Sequence, residues 1–304
     1  MDKIKEIIQV DLNKIVYEYT PNNKHIKMCI ENNKPVCTDT AAFTRLPIFP
    51  AIKPKNNKIV LETQWGHVTI QNPVSQRHQD LLECLLYLAK IEIDGNRAIA
   101  YVDLHKLRRK LSKNKERIPE QDLFRMIEAL ENVKLITEHT INSGGVQISI
   151  QVRGRIIDKT VTVLGVARNK KDKKILKVTF GDMVSSMLLL DKLLFYNPER
   201  IVKLKHSYTK AIVRFLISHE NKDKNKTKKW ELKRLLHYLG IRIEGIEENS
   251  ENSKITISKD QYRKMVQRIK EESEELNAMG ITIEKINNEY YVVCDTQKLR
   301  NAIL

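Results

Sequence analysis

One order of predicted elements occurs twice in this chain of 304 residues. In residues 77–152, and again in residues 208–294, an apolar helix precedes a shorter helix, a longer amphipathic helix and a two-stranded hairpin. Apolar residues recur at helical spacing in the helices and alternate with polar residues in the strands. Because each set has its own apolar faces to bury, the sequence predicts an α+β fold with two related units.

The first unit carries recognisable start and turn signals. Asp103 is a predicted N-cap, because its carboxylate can accept hydrogen bonds from the free N–H groups of the following turn. The segment Asn142-Ser143-Gly144-Gly145 has the composition of a tight hairpin turn. The predicted elements are helices over 77–90, 104–112 and 119–131, and strands over 98–102, 135–140 and 146–152.

The second unit repeats this order. Ser258 is the predicted cap of its long helix, and Gly240 closes the helix before it. The polar run over 219–229 is predicted to be a mobile loop. The predicted elements are helices over 208–218, 230–239 and 259–279, and strands over 281–285 and 290–294. A helix-turn-helix followed by a hairpin wing in each unit predicts two tandem winged-helix domains.

We expect the chain to divide into three parts. Residues 1–76 form an N-terminal extension without an assigned role, 77–196 the first winged-helix domain and 197–304 the second. Strand signals over 58–62 and 67–70 are expected to add edge strands to the first domain.

The charge balance favours a polyanionic partner. Lys and Arg total 54 against 38 Asp and Glu, a formal net charge of +16. This field attracts phosphates, and an anionic membrane surface would satisfy the same charge. However, the longest apolar run, 183–190, is far shorter than the roughly 20 residues of a membrane span. The charged first 19 residues lack a signal-peptide core, and no CxxC pair occurs, so we expect a cytoplasmic protein with reduced thiols and no membrane contact.

The helix over 259–279 is the predicted reader of DNA sequence. Its first half is basic and its second half acidic, an order that opposes the helix macrodipole. Arg268 suits guanine and Gln267 suits adenine if this first half enters the major groove. The alternative is a solvated charged face on a structural helix. The predicted DNA-binding residues of the second unit are Arg263, Lys264, Gln267, Arg268, Lys270 and Lys285.

The first unit is predicted to hold phosphates rather than to read bases. Its third helix exposes Gln121, Arg125 and Glu128, a nearly neutral face, while positive charge collects before that helix. Phosphate contacts position a protein on a duplex without selecting a sequence. A charge run can also be merely a solvated surface. The predicted DNA-binding residues of this unit are Arg108, Arg109, Lys110, Lys113, Lys115, Arg117 and Arg125.

The sequence contains few patterns typical of catalytic or metal-binding sites, so we expect no enzymatic activity, no cofactor and no metal. The phosphate-loop pattern GxxxxGK[ST] does not occur, and no two histidines flank a single hydrophobic residue. His25, Cys29 and Cys37 lack a fourth ligand at the usual spacing. A nicking or joining enzyme using Tyr196 or Tyr208 stays an alternative, although nothing nearby in the sequence activates either hydroxyl.

The spacing of these elements resembles the replication initiator (Rep) proteins of iteron-containing plasmids, most strongly over 208–216, 230–236 and 262–276. This resemblance implies binding to direct repeats in origin DNA, recruitment of the host initiator DnaA and the replicative helicase, and repression of the protein's own gene. It also implies a homodimer in equilibrium with the monomer, with strands around 160–180 as the pairing surface. The alternative within this fold is a winged-helix transcriptional repressor without an initiation role.

Overall fold

The structure, a computed structural model, has the mixed α+β composition that the sequence predicts. No helix in its described ranges is long and apolar enough to cross a membrane. The predicted phosphate-binding residues Lys113 and Lys115 lie outside the described residues, as do His25, Cys29 and Cys37. The structure describes residues 38–40, 43–44, 47–54, 56–63, 66–95, 97–112, 117–143, 146–166, 172–190, 193–219, 227–244 and 255–303.

Two four-stranded antiparallel sheets and several helices build the first core. The strands in this part of the chain are β1 (Asp39–Thr40), β2 (Lys58–Thr63), β3 (Gly66–Gln71), β4 (Lys90–Asp94), β5 (Arg97–Asp103), β6 (Lys134–Ser143), β7 (Val146–Arg155), β8 (Ile157–Val166) and β9 (Asp172–Phe180). One sheet has the strand order β2-β3-β6-β7 and the other the order β4-β5-β9-β8. The helices are α1 (Gln76–Leu88), α2 (Leu104–Lys110), α3 (Glu120–Glu131) and α4 (Asp182–Leu190).

The local signals of this unit are confirmed, with one strand missed. The Asp103 carboxylate accepts from the backbone N–H groups of His105 (2.9 Å) and Lys106 (3.1 Å) and so caps α2. β6 and β7 form the expected hairpin, and β2 and β3 add to its sheet. The helix predicted over 77–90 ends at Leu88, because the alternation of buried and exposed residues that begins at Lys90 forms β4.

The second core combines helices with a three-stranded sheet and a short pair of parallel strands. A connection formed by β10 (Leu193–Leu194) and α5 (Glu199–Lys203) leads into it. Its strands are β11 (Thr227–Glu231), β12 (Ile241–Ile243), β13 (Ile255–Ile257), β14 (Ile281–Ile286) and β15 (Glu289–Asp295). The sheet has the order β11-β15-β14, and β12 pairs with β13. Its helices are α6 (Ser207–Ser218), α7 (Leu232–Tyr238), α8 (Lys259–Lys270), α9 (Ser273–Ala278) and α10 (Thr296–Ile303).

The end of the predicted mobile loop over 219–229 is a strand. β11 pairs with β15 in antiparallel register from Thr227 opposite Asp295 to Glu231 opposite Tyr291. Trp230 anchors this strand, since its ring meets Phe215 of α6 edge to face at 5.3 Å between centroids. The polar composition hid this pairing, because the anchoring aromatic residue lies beyond the polar run.

Residues 38–40, 43–44 and 47–54 lie where the two cores meet. β1 pairs with β10, and Phe43 and Ile48 are buried among the apolar side chains of the first core. Ala51 and Ile52 instead pack against those of the second core. The segment therefore spans the junction between two clusters of buried apolar residues. The proposed domain boundaries at residues 77 and 197 stay predictions.

Candidate nucleic-acid interface

Helix α8 starts as its sequence predicts. The Ser258 hydroxyl accepts from the backbone N–H of Gln261 (3.2 Å), and the Gln261 side chain accepts in return from the backbone N–H of Ser258 (2.8 Å). This reciprocal capping box satisfies two of the free donors at the start of the helix. The apolar side of α8 is buried and consists of Tyr262, Met265, Val266 and Ile269. The opposite side is exposed, and we call Arg263, Lys264, Gln267 and Arg268 the outer face of α8.

The single helix predicted over 259–279 is wrong. The structure has α8, a turn at Glu271 and Glu272, and then α9. The helix breaks because the Glu272 carboxylate turns inward, where it accepts from the backbone N–H groups of Lys205 (2.5 Å) and His206 (3.2 Å). This buried carboxylate thereby joins the end of α8 to the connection that precedes α6.

The break also corrects the macrodipole interpretation of this segment. Taken by itself, α8 has Asp260 in its first turn, and Arg268 and Lys270 in its last. Acidic residues at the start and basic residues at the end of a helix stabilise it. The interpretation that the order of charges opposes the helix macrodipole is therefore wrong for Arg268 and Lys270. The outer face is nevertheless exposed, as its sequence predicts, because this exposure does not depend on the helix dipole.

Two sides of α8 meet different neighbours. The Arg268 guanidinium donates from Nη1 to the Tyr208 hydroxyl of α6 at 3.2 Å. On the other side, Lys270 and Lys285 place their ammonium groups 4.7 and 6.0 Å from the ring centroid of Tyr290. Since Lys285 belongs to β14 and Tyr290 to β15, these contacts bring the hairpin alongside α8. Two like charges thus converge at one ring beside the outer face.

The predicted phosphate-binding residues of the first unit are not equally available. Arg108 donates to the Ile118 carbonyl (2.7 Å) and pairs with Glu120 (3.3 Å), while Lys110 pairs with Glu199 at 3.3 Å. Both side chains are less than one-fifth exposed, at 18% and 17%. Glu120 also pairs with Lys174 and Glu199 with Lys203, so each carboxylate compensates these charges only in part.

Three further basic residues of this unit point outward. Arg109 and Arg117 are exposed, and Arg117 lies 3.3 Å from the His105 ring nitrogen. Arg125 is exposed on α3 and pairs with Asp122 at 3.5 Å. Of the predicted phosphate-binding residues in the described part of this unit, Arg109 and Arg117 are therefore exposed before α3 begins, and Arg125 is exposed on α3 itself.

A buried polar cluster, missed at the sequence level, joins α1 to α6. We call it the junction cluster. Arg214 of α6 donates through Nε and Nη2 to the two carboxylate oxygens of Glu83 at 2.5 and 2.7 Å, and through Nη2 to Asp80 at 2.7 Å. Lys210 pairs with Asp80 as well. The cluster comprises Asp39, Gln76, Gln79, Asp80, Glu83, Tyr196, Lys210 and Arg214, all buried.

The surroundings of the junction cluster shift the ionisation of its members. Burial, followed by the charge of Glu83, raises the pKa of the Asp39 carboxyl well above its ordinary value. Burial thus favours the neutral form of Asp39, and it also raises the pKa of Asp80, although Arg214 and Lys210 oppose that shift. Asp80 and Glu83 are the carboxylates that pair with Lys210 and Arg214. Such pairing is needed because a buried charge without a partner is strongly destabilising.

The two tyrosines considered as nucleophiles have different positions. Tyr196 is buried, and its hydroxyl donates to Glu83 Oε1 at 2.6 Å. Burial, and next the charge of Glu83, raises the pKa of Tyr196 well above its ordinary value, so the phenolate is disfavoured. Tyr208 is half-buried and accepts from Arg268.

Among the described residues, no group of three or more His, Cys, Asp and Glu side chains is arranged to hold a metal ion.

Comparison with known proteins gives a structural likeness only. No protein-family model matches the chain, and no curated protein matches it. Two crystal structures of domains 2 and 3 of RctB, one of them of selenomethionine derivatives, each give a TM-score of 0.54. The similarity covers 86% of this chain and 99% of theirs, at 11% identity for the selenomethionine derivatives and 12% for the other structure. The chain therefore shares the fold of these two RctB domains.

Proposed function

We propose that this protein is a DNA replication initiator that binds double-stranded DNA sequence-specifically and has no catalytic activity. The observation that carries the proposal is the exposed, polar and basic outer face of α8, with the hairpin β14–β15 beside it. The fold supports the functional class, since RctB is a chromosome II replication initiator of Vibrio. The outer face of α8 supplies a surface on which DNA can be read.

In this proposal each core is a winged-helix domain. In the first, α1, α2 and α3 precede the hairpin β6–β7, and in the second, α6, α7 and α8 precede the hairpin β14–β15. The third helix of such a unit is the recognition helix of a helix-turn-helix, which lies in the major groove. We assign that role to α8, whose outer face is basic, rather than to α3, whose outer face is nearly neutral.

The chemistry of the outer face suits direct base reading. A guanidinium can make paired hydrogen bonds to guanine, and a side-chain amide can make them to adenine. Arg268 and Gln267 are adjacent, exposed residues that offer these two groups. Arg263, Lys264, Lys270 and Lys285 would then contact the neighbouring phosphates, which fix the register of the protein on the duplex.

The first unit is proposed to add phosphate contacts. Arg109 and Arg117 are exposed and are the best placed of the described candidates. Lys113, Lys115 and Arg125 stay candidates, whereas Arg108 and Lys110 are assigned a structural role through their partly buried ion pairs. Each phosphate neutralised by the protein releases counterions and makes binding more dependent on salt.

A homodimer in equilibrium with the monomer is also part of the proposal. β8 is an edge strand of its sheet, and Val161, Val163 and Leu164 expose 39%, 46% and 70% of their surface. An exposed apolar edge strand is a template for pairing with another strand. We propose that β8 of a second copy fills this edge.

The finer biological assignment follows the resemblance to plasmid Rep proteins. We propose a cytoplasmic plasmid initiator that binds direct repeats at an origin, helps to recruit host DnaA and the replicative helicase, and represses its own gene. A transcriptional repressor of the same fold is the rival. Deletion of the gene separates them, because loss of an initiator abolishes replication of its replicon, whereas loss of a repressor changes expression only.

The tyrosine-dependent nicking enzyme is the weaker rival. The buried hydroxyl of Tyr196, bonded to Glu83, cannot reach a phosphodiester without opening of the junction. Tyr208 is nearer the surface but accepts from a guanidinium that we assign to base reading. Incubation of the protein with supercoiled origin DNA and a divalent metal decides between these functions, since a covalent protein–DNA adduct would establish the enzyme.

The main test is selection of bound sequences from a randomised duplex library. The proposal predicts one enriched motif that matches direct repeats beside the protein's own gene. Absence of any enriched motif, with binding of all duplexes equally, would contradict sequence-specific recognition. An enriched motif that is absent from any origin would support the repressor instead.

A further inference from the structure

The first turn of α6 lies against the end of α8 and touches it through side chains. The Tyr208 hydroxyl accepts from Arg268 Nη1 at 3.2 Å. Beside this contact, the ring nitrogen Nε2 of His206 lies 3.4 Å from Glu271 Oε2. Arg268, which is proposed to read guanine, is therefore joined to α6 through Tyr208.

The spacing of this contact is fixed by a buried carboxylate. Glu272 is 2% exposed and accepts from the backbone N–H groups of Lys205 and His206, which directly precede α6. Because these are backbone donors, the start of α6 cannot shift relative to the end of α8 without losing them. A charged acceptor left unpaired in such a buried position is costly. Tyr208 is thus held at a set distance from Arg268.

An exposed arginine without such a contact has many side-chain conformations. When it binds a base it is held in one of them, and this loss of conformational entropy lowers the affinity. A hydrogen bond to Tyr208 removes part of this freedom before DNA arrives. The guanidinium has five N–H donors, so one bond from Nη1 leaves others for a base. We propose that Tyr208 is a positioning residue for sequence reading: its hydroxyl orients the Arg268 guanidinium in the free protein. This inference rests on the base-reading role proposed for Arg268.

The test removes one hydroxyl and keeps the ring. Affinities of the full-length wild type, Tyr208→Phe, Arg268→Ala and the double variant are measured on the selected duplex and on a scrambled duplex of equal length. Tyr238→Phe is the matched control, because Tyr238 ends α7 of the second unit, stacks on Phe215 of α6 and exposes 57% of its surface. We expect Tyr208→Phe to lower the preference for the selected duplex by about threefold to tenfold, the range for ordering one flexible side chain.

The double variant distinguishes positioning from an independent contact. If Tyr208 acts through Arg268, its substitution has no further effect once Arg268 is alanine, and binding to the scrambled duplex and the melting temperature stay as in wild type. An unchanged preference in Tyr208→Phe overturns the inference, and so does an equal loss in the Arg268→Ala background. A wild-type protein without any sequence preference would overturn the base-reading proposal itself, which is a separate outcome.

Discussion

The junction cluster and the outer face of α8 contain the same kinds of charged residue in opposite surroundings. Arg214 is 1% exposed and bonded to two carboxylates, whereas Arg263 is 77% exposed and has a single pairing with Asp260 on its own helix. A buried arginine whose donors are taken up by the protein stabilises the arrangement of the cores. An exposed one has donors left for a partner. Burial and pairing, rather than residue type, therefore separate structural charge from candidate binding charge in this basic chain.

The largest expected effect is at the junction. Arg214→Met leaves Glu83 and Asp80 without their shared cation, so we expect the free energy of unfolding to fall by about 3–5 kcal/mol. The matched change Arg263→Met on α8 should stay within about 0.5 kcal/mol of wild type. Urea denaturation measures both. Equal losses in the two variants would mean that the comparison between the two regions is wrong.

The buried Asp39 of the junction cluster should make the stability of the protein depend on pH. The pKa of Asp39 is raised in the folded protein, so between about pH 4 and this raised pKa the folded state binds more protons than the unfolded chain. The free energy of unfolding contributed by Asp39 is therefore present at low pH and is lost as the pH rises, by up to about 1.4 kcal/mol per pH unit.

Asp39→Asn keeps the size of the side chain but cannot titrate. The difference in stability between wild type and this variant should change in favour of the variant as the pH rises from 4 to 8. Denaturation curves at several pH values measure it. A difference that is constant across this range would show that Asp39 does not take up a proton on folding.

On the outer face of α8 the expected effect is on binding. Arg268→Ala should weaken binding to the selected duplex by about 1–3 kcal/mol, the value of a lost bidentate base contact, while binding to random duplex changes little. Lys298→Ala serves as the control, because Lys298 is an exposed basic residue on α10, outside the outer face of α8. Fluorescence anisotropy titrations give both affinities. Equal weakening on both duplexes would assign Arg268 to phosphates instead of bases.

The smallest expected effect separates two neighbouring residues of α2. Arg109→Ala should weaken binding to all duplexes alike and reduce the slope of log K against log salt by about 1, the value of one phosphate contact. Lys110→Ala should leave the slope unchanged, because the Lys110 side chain is only 17% exposed and its ammonium is held by Glu199 at 3.3 Å. A slope reduced equally by the two changes would contradict the structural role of Lys110.

Features specified by neighbouring residues were predictable. Ser258 caps α8 as expected, within a capping box that Gln261 completes. The Asn287-Asn288 turn takes the positive φ angles of 48° and 65° that a tight hairpin needs. The outer face of α8 also follows from its apolar periodicity. In each case the residues that determine the structure lie within one turn or one hairpin of each other.

Features that depend on residues far apart in the sequence were not predictable. The break at Glu272 is set by the backbone of His206, 66 residues away, and the pairing of Arg214 with Glu83 spans 131 residues. One signal was present: Asp80 and Glu83 lie in a leucine-rich helix, and Lys210 and Arg214 lie four residues apart in an apolar one. Buried charges need partners, so two such helices indicate that they face each other.

The most direct test of the account asks which helix touches the bases. A photo-crosslinking amino acid is placed at Gln267 on α8, at Glu128 on α3 and at Glu274 on the acidic helix α9, all exposed positions. Each variant is irradiated on the selected duplex. The account predicts crosslinks to bases of the selected site from position 267 and none from positions 128 and 274. Crosslinks to bases from position 128 with none from 267 would contradict it.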